Sequence, residues 1–478
     1  MSEATSDVLE SRNPAHPDEV LGCVPVADAA AVAAAVGRAR GAFPAWRDLG
    51  LERRAEILRR FQALTADPLR QEELARLIVR EAGKALWEAR AEARLVPAKV
   101  DVSLGPGMEL VAERDVGGGA RATYFPRGTL AVFGPFNFPA HLPNGHVVPA
   151  LACGNTVVFK PSDQTPLVGE WMLARWREAG LPEGVLQIVH GGTETGRVLA
   201  SYNGIDGILF TGSYAVGRAI REANLDQPAK ILALEMGGKN AIVVLADADL
   251  DRAVAQTALS VAVTAGQRCT CASRVFVEAE LIDEFAERLA ETLGALSIGE
   301  PLDEGTFMGP LISRAAYDRV EKVRATAREA GGERIDLRVD LPAPFVGPAL
   351  VRFPDARQSH PYQRDELFAP EAAIHPVADL EQAITAVNDS DYGLAASVFT
   401  RDRERYERCI GRIRTGLLNW NLGTIGASGK LPFGGIGRSG NDRPAGVTAS
   451  LYCTVPQAHL ESDAPFDPDT LPPGFPRP

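Results

Sequence analysis

Apolar positions in the first hundred residues recur every three or four places, a period that predicts helices. Asp28 precedes a run of alanines and valines reaching Phe43 and can cap a helix there, with Pro44 expected to end it. Leu51, Ile57, Leu58, Phe61 and Leu64 form an apolar stripe among charges, and a similar stripe runs from Gln71 through Trp87 to Val100 with a break at Gly83. The pattern changes at Gly128. Thr129 to Phe133, Asn155 to Phe159, Val185 to Val189 and Gly207 to Phe210 are short apolar runs, with helix-like segments near Pro166 to Ala179 and Tyr214 to Asn224. Apolar strands alternating with helices describe an α/β protein whose parallel sheet is covered on both faces. A second alternating region extends from Ala241 to about Trp420, with strands expected at Ala241 to Leu245, Val275 to Val277, Ala395 to Phe399 and Gly416 to Asn419. The last apolar segment, Ala449 to Pro456, reads as an exposed edge strand that needs a partner chain.

Ligands bind parallel sheets at the carboxyl ends of the strands. Asn137, Lys160, Asp163 and the turn Thr211-Gly212-Ser213 all fall at such ends. The stretch from Gly212 to Gly217 lies between a strand and a helix, where free N–H groups and the helix dipole favour a phosphate. Its glycine spacing is not GxGxxG, so a plain strand-to-helix turn is the competing reading.

Composition narrows the function classes. A chain of 478 residues is long enough for several domains. Its net charge of -12 argues against a general nucleic-acid or anionic-membrane binder, which needs a concentrated basic surface. The six cysteines are sparse and show no zinc spacing, so no metal site is expected and reduced thiols in a cytoplasm are. Met1 to Pro17 is polar and lacks the apolar core of a signal peptide, and the longest apolar run, near Ala253 to Ala265, is too short to span a bilayer. Ser462 to Pro478, rich in proline and aspartate, is expected to be an extended tail.

The chemistry concentrates in two stretches. In Val263 to Cys271, a small-residue loop places Cys269 directly after Arg268. A thiol with a pKa of roughly 8.5 is only a few per cent thiolate at neutral pH, so a nucleophilic cysteine needs a cation, backbone dipoles or a base nearby. In Leu234 to Asn240, Glu235 ends an apolar stretch and precedes Gly237 and Gly238, which permit close backbone approach. A carboxylate within reach of a covalent intermediate can activate water to release it. Taken alone, a cysteine such as Cys269 is far more often a small buried hydrophobe than a nucleophile.

The order of motifs decides between these. GPFNFP at Gly134 to Pro139, FKPSD at Phe159 to Asp163, FTGS at Phe210 to Ser213, LEMGGKN at Leu234 to Asn240, GQRCTC at Gly266 to Cys271, ELFAP at Glu366 to Pro370 and PFGGIGRSG at Pro432 to Gly440 follow one another along the chain. With these, the sequence resembles the aldehyde dehydrogenase superfamily from about Pro14 to Leu460. The resemblance implies two Rossmann-like parallel-sheet domains plus an oligomerisation ribbon. NAD would be held by residues 1–106 and 127–236, catalysis by 237–444, and assembly by 107–126 and 445–461, with 462–478 as the tail. It also implies Cys269 as nucleophile, Asn137 and the Cys269 N–H as the oxyanion site, and Glu235 as the base for thioester hydrolysis. Lys160 and Asp163 would meet the adenosine ribose, Gly212, Ser213 and Gly217 the pyrophosphate turn, and Glu366 with Phe368 the nicotinamide half. A homodimer or larger assembly is expected.

HLPNGHVVPAL at His141 to Leu151, VTAGQRCTCA at Val263 to Ala272, LLNWN at Leu417 to Asn421 and PFGGIGRSGNDRP at Pro432 to Pro444 are similar to the N-succinylglutamate 5-semialdehyde dehydrogenase branch of arginine catabolism. That implies an anionic aldehyde, with Arg268, Arg438 and Arg443 as candidate contacts for its carboxylates. Ala369 stands where the family usually has glycine, and Asp163 where glutamate is commoner. An acid at that point still favours NAD, with its free ribose 2'-hydroxyl. The competing readings are a general or other semialdehyde dehydrogenase, an acylating dehydrogenase, which would lack a base at position 235, a thiol hydrolase, which would need a histidine against Cys269, and a catalytically silent scaffold.

Overall fold

The computed structural model describes residues 8–337 and 339–476. Residues 1–7 of the expected polar start, and 477 and 478 of the expected tail, lie outside them. Asp28 accepts the Ala31 amide at 2.7 Å and starts helix Ala29–Asp48. The helix does not stop at Pro44 but runs through it, and the turn beyond buries Trp46 to 2% exposure. Burying an indole is worth about 4 to 6 kcal/mol, which exceeds the roughly 3 kcal/mol that an interior proline costs. Helices Leu51–Ala66 and Pro68–Ala82 follow, and Gly83, at φ +69°, terminates the second in a left-handed cap. Helix Leu86–Val102 then packs a mostly apolar face inward, but that face also carries Glu88, Glu92 and Lys99.

The first sheet has five parallel strands in the spatial order Leu186–Ile188, Thr156–Lys160, Thr129–Phe133, Gly207–Gly212, Ile231–Met236. Every residue of Thr129–Phe133 and Thr156–Lys160 is buried, as their apolar runs require. The chain winds outward from Thr129–Phe133 and then returns to its other side at Gly207–Gly212. Their carboxyl ends therefore border a switch-point crevice.

The second sheet has seven strands, ordered Glu333–Asp336, Ala349–Arg352, Glu371–Val377, Ala272–Glu278, Asn240–Val244, Ala395–Phe399, Leu417–Trp420. The first of these is antiparallel to its neighbour and the rest are parallel. Only three residues separate Met236 from Asn240, so the chain passes straight from the carboxyl edge of one sheet to the amino edge of the other. Cys269 lies just before Ala272–Glu278, and Glu366 to Ala369 just before Glu371–Val377. Chemistry from the second sheet thus comes from amino ends, facing the carboxyl ends of the first.

A third sheet is antiparallel, with Ala120–Pro126 between Arg114–Gly117 and Thr454–Leu460. The expected edge strand at Ala449 to Pro456 is corrected here. Ala449–Cys453 is a short helix that buries Tyr452 and Cys453, and the strand begins at Thr454 and reaches Leu460. No described helix is long and apolar enough to cross a membrane.

Candidate active site

Helix Leu250–Ala262 ends in an unusual turn: Thr264, Ala265 and Gly266 all have positive φ, at 54°, 53° and 70°. The first two pay a Cβ penalty on the order of 1 kcal/mol each in this region, so the surroundings must impose it. Glu88 does much of this. Its Oε2 accepts the Thr264 amide at 3.1 Å, while its Oε1 accepts the Thr264 hydroxyl and Arg268 Nη2, both at 2.6 Å. Gly266 seals the other side, since a Cβ there would lie 2.0 Å from the Ala369 carbonyl carbon. Downstream, Asn240 Nδ2 donates to the carbonyls of Cys269 at 2.7 Å and Cys271 at 2.8 Å. Cys269 is half-buried; Cys271 is buried, with its Sγ 3.6 Å from the Val263 carbonyl oxygen.

Around the thiol the charges are mostly negative. Burial first, then Glu366 and Glu235, push the Cys269 thiol above its ordinary range, and Arg268 opposes them. Glu235 is 5% exposed and its Oε2 has no hydrogen-bond partner among the described residues, while the Ala445 amide donates to the carboxylate. Burial holds it well above the usual carboxylate range. Glu366 Oε1 accepts the Gly238 amide at 2.9 Å, and a Cβ on Gly237 would lie 1.9 Å from its Oε2. The paired glycines therefore admit the Glu366 carboxyl, which burial raises to about 7. Asn137, 3% exposed, donates Nδ2 to the Gln267 carbonyl at 2.7 Å, two residues from the thiol. No histidine hydrogen-bonds to Cys269 among the described residues: His146 pairs with Tyr452 and Thr211, His190 with Glu170, and His360 caps a short helix.

Two of the three candidate arginines have carboxylate partners within the chain. Arg268 is bound by Glu88 and Thr264 and lies 4.9 Å from the centre of the Phe138 ring. Arg438 pairs with Asp391 at 3.0 Å and lies 4.0 Å from Asp365. Arg443 is exposed and donates only to the Asp442 carbonyl among the described residues.

The candidate cofactor residues line the facing edge. Lys160 is buried, and a Cβ on Gly196 would lie 3.5 Å from its Cε; one on Gly192 would lie 3.7 Å from Asp163 Oδ2. Both residues thus face the start of helix Thr193–Ser201. Ser213 Oγ accepts the Val216 amide at 3.4 Å and caps helix Tyr214–Glu222, whose first turn is largely exposed. A Cβ on Gly217 would lie 2.4 Å from Met236 Sδ, so this glycine serves close packing of helix on strand. Phe368, at φ +55°, stands edge-on to Phe136 with ring centres 5.8 Å apart. An open helix start, a lysine and an acid beside a second helix start, and a carboxyl beside the glycine pair fit a dinucleotide.

Sequence reasoning missed Glu88 and Glu92. Glu92 Oε1 accepts the Ala140 and His141 amides, both at 3.0 Å, and Oε2 accepts Lys84 Nζ at 2.7 Å. It thereby anchors the start of helix His141–Ala152, next to Asn137. The only signal was acids four apart inside an amphipathic pattern, where solvent exposure is the ordinary reading. Glu88→Gln leaves Arg268 without its carboxylate and turns an amide N–H toward the Thr264 N–H. We expect a loss of about 3 to 5 kcal/mol, read by urea unfolding, together with a lower kcat. An unchanged midpoint and turnover would remove Glu88 from this role.

Two sheets meeting edge to edge, with a thiol on a constrained loop and a buried carboxylate across from it, define a class. The chain belongs to the aldehyde dehydrogenase family, whose model matches residues 1–458. It is 44% identical over 456 residues to the N-succinylglutamate 5-semialdehyde dehydrogenase of Chromobacterium violaceum, covering 94% of this chain and 93% of that one. Among solved structures it is similar to an NAD-dependent aldehyde dehydrogenase from Sinorhizobium meliloti, with TM-score 0.90 and 30% identity over 98% of this chain and 94% of that one. A 1-pyrroline-5-carboxylate dehydrogenase from Thermus with bound NAD gives TM-score 0.89 and 29% identity, over 95% and 90% of the two chains.

Proposed function

We propose that the protein oxidises N-succinylglutamate 5-semialdehyde to N-succinylglutamate with NAD, through a thioester on Cys269. The observation that carries the chemistry is the half-buried Cys269 thiol with the Glu235 carboxylate, one oxygen of which lacks a partner among the described residues. The relative from Chromobacterium violaceum supports the choice of aldehyde. Cys269 releases its proton to solvent water as its sulfur adds to the aldehyde carbon and the carbonyl π pair moves onto oxygen. The oxyanion lies between the Asn137 side-chain N–H and the Cys269 N–H, a placement worth a few kcal/mol. Bound NAD would supply the hydride acceptor that takes the tetrahedral carbon to the thioester. Glu235 then takes a proton from water as the water oxygen attacks the thioester carbon, the C–S bond breaks, and the acid departs.

Lys160 and Asp163 hold the adenosine ribose, with Asp163 favouring NAD over its 2'-phosphorylated form. Gly212, Ser213 and Gly217 shape the pyrophosphate turn, and Glu366 and Phe368 orient the nicotinamide half. On this reading residues 1–106 and 127–236 bind cofactor, 237–444 carry the catalysis, and the protein works in the cytoplasm. The test is NADH formation with N-succinylglutamate 5-semialdehyde, succinate semialdehyde and neutral aldehydes of matching length. A kcat/KM at least roughly tenfold higher for the first is expected, one carboxylate contact being worth that much, and the advantage should shrink with salt. Equal values would leave a general aldehyde dehydrogenase.

Assembly rests on residues 107–126 and 445–461. Their sheet has two open edges and exposes Val116 at 67% and Leu460 at 89%. Sedimentation at micromolar concentration should give a homodimer or larger; a stable monomer would end this part of the reading.

A further inference from the structure

The buried face of helix Leu86–Val102 holds one cation whose charge nothing answers. Lys99 is 7% exposed, yet its Nζ makes no hydrogen bond or ion pair among the described residues. Among the described residues, the other buried lysines and arginines all have acceptors. Lys84 has Glu92, Arg324 has Glu371, Lys239 donates to the Tyr362 carbonyl, Lys230 to the Ala200 and Tyr202 carbonyls, Lys160 to that of Pro161, and Arg54 and Arg274 to several more. An ammonium largely withdrawn from water without a protein partner is costly, and burial lowers this one to about 8. Such a cost persists more readily where a ligand relieves it.

Two glycines lie beside the ammonium. A Cβ on Gly145 would lie 3.6 Å from Lys99 Nζ, and one on Gly429 would lie 3.7 Å from it. Gly145 is one turn beyond His141 on helix His141–Ala152, about 6 Å further along its axis. Asn137 precedes that helix and reaches the nucleophile loop through Gln267. His141 is lowered to about 3 by burial and then by Lys99 and Lys84, and its Nδ1 also lacks a partner among the described residues. Gly429 lies in segment 421–430, exposed from 426 onward, which is tied to helix Leu250–Ala262 by the Gly423 amide on Gln256 and the Thr424 amide on Ser260. That helix leads into the Cys269 loop, so both walls beside Lys99 are continuous with elements that frame the thiol.

We propose that Lys99 binds a carboxylate on the tail of the aldehyde substrate, in a subsite between Gly145 and Gly429, with His141 between that subsite and the reacting carbon. This rests on the reading of the substrate as an anionic semialdehyde and makes Lys99 a specificity residue. In the holoenzyme with saturating NAD, the readout is the ratio of kcat/KM for N-succinylglutamate 5-semialdehyde to that for a neutral aldehyde of similar length. Lys99→Met should lower the ratio roughly tenfold to a hundredfold, mainly through KM, and Lys99→Arg should retain most of it. Gly429→Asp, at an exposed position, offers Lys99 a carboxylate from within the chain and should lower the ratio as well, whereas Gly429→Asn should not. A high wild-type ratio that neither Lys99→Met nor Gly429→Asp changes overturns the Lys99 assignment and leaves the anionic substrate standing. A wild-type ratio near one overturns both.

Discussion

Cys269→Ala should reduce NADH formation by on the order of 10⁴-fold or more, while Cys271→Ala should keep most of it. The two thiols are two residues apart, and their carbonyls share one anchor, the Asn240 amide. Neither substitution removes that anchor, so the comparison isolates sulfur chemistry from loop geometry. Cys271 Sγ is turned toward the Val263 carbonyl, and burial raises its thiol to about 12, which makes it a packed group. Cys269 also starts as a poor thiolate, because burial and two carboxylates act against it. Its reactivity must therefore come from proton transfer when substrate and cofactor are in place. The check is steady-state turnover of both variants, with mass spectrometry of iodoacetamide adducts on the wild type. Loss of activity in Cys271→Ala with retention in Cys269→Ala would reverse the assignment.

Glu235→Gln should leave an NADH burst of about one equivalent per site and lower the steady rate by about 10²- to 10⁴-fold. The substitution keeps the shape of the side chain and the acceptor for the Ala445 amide, and removes only the ability to take a proton. Thioester hydrolysis needs the ionised carboxyl. Burial raises its folded-state pKa, so the neutral form persists to higher pH than for an ordinary glutamate. The hydrolysis rate should accordingly rise with pH along a limb displaced upward from the carboxylate range, and that limb should be absent in Glu235→Gln. A normal steady rate, or no burst with NAD and substrate present, would count against this role.

What was legible in the sequence follows from how local each signal is. Thr129–Phe133 and Thr156–Lys160 are buried along their whole length, so their apolar runs marked them. Glu333–Asp336 carries charges at three of its four positions, and Glu371–Val377 contains His375 and Pro376, so neither reads as a strand without its neighbours. Pro44 misled because the benefit of burying Trp46 comes from packing between distant segments. Cys269 and Glu235 stood in short motifs with a chemical reason for each residue. Glu88, Glu92 and Lys99 did not, because a helical period cannot distinguish an acid facing water from one tied to a loop 176 residues away. The cations that attracted attention by proximity, Arg268 and Arg438, turn out to have carboxylates of their own.

Helix Leu86–Val102 also bears on how such a protein can change. Glu88 is committed to the thiol loop and Glu92 to the start of the Asn137 side, so nearly every inward position of the helix is already constrained by chemistry or packing. Apart from position 99, this element cannot be reshaped for a new substrate without disturbing the reaction itself. Segment 421–430 is different: exposed from 426 onward, and held mainly through its first residues, it can be exchanged while the reacting groups stay in place. Directed evolution toward another aldehyde should therefore accumulate changes in residues 425–430 and at position 99, and libraries that randomise 88 or 92 should yield mostly inactive clones.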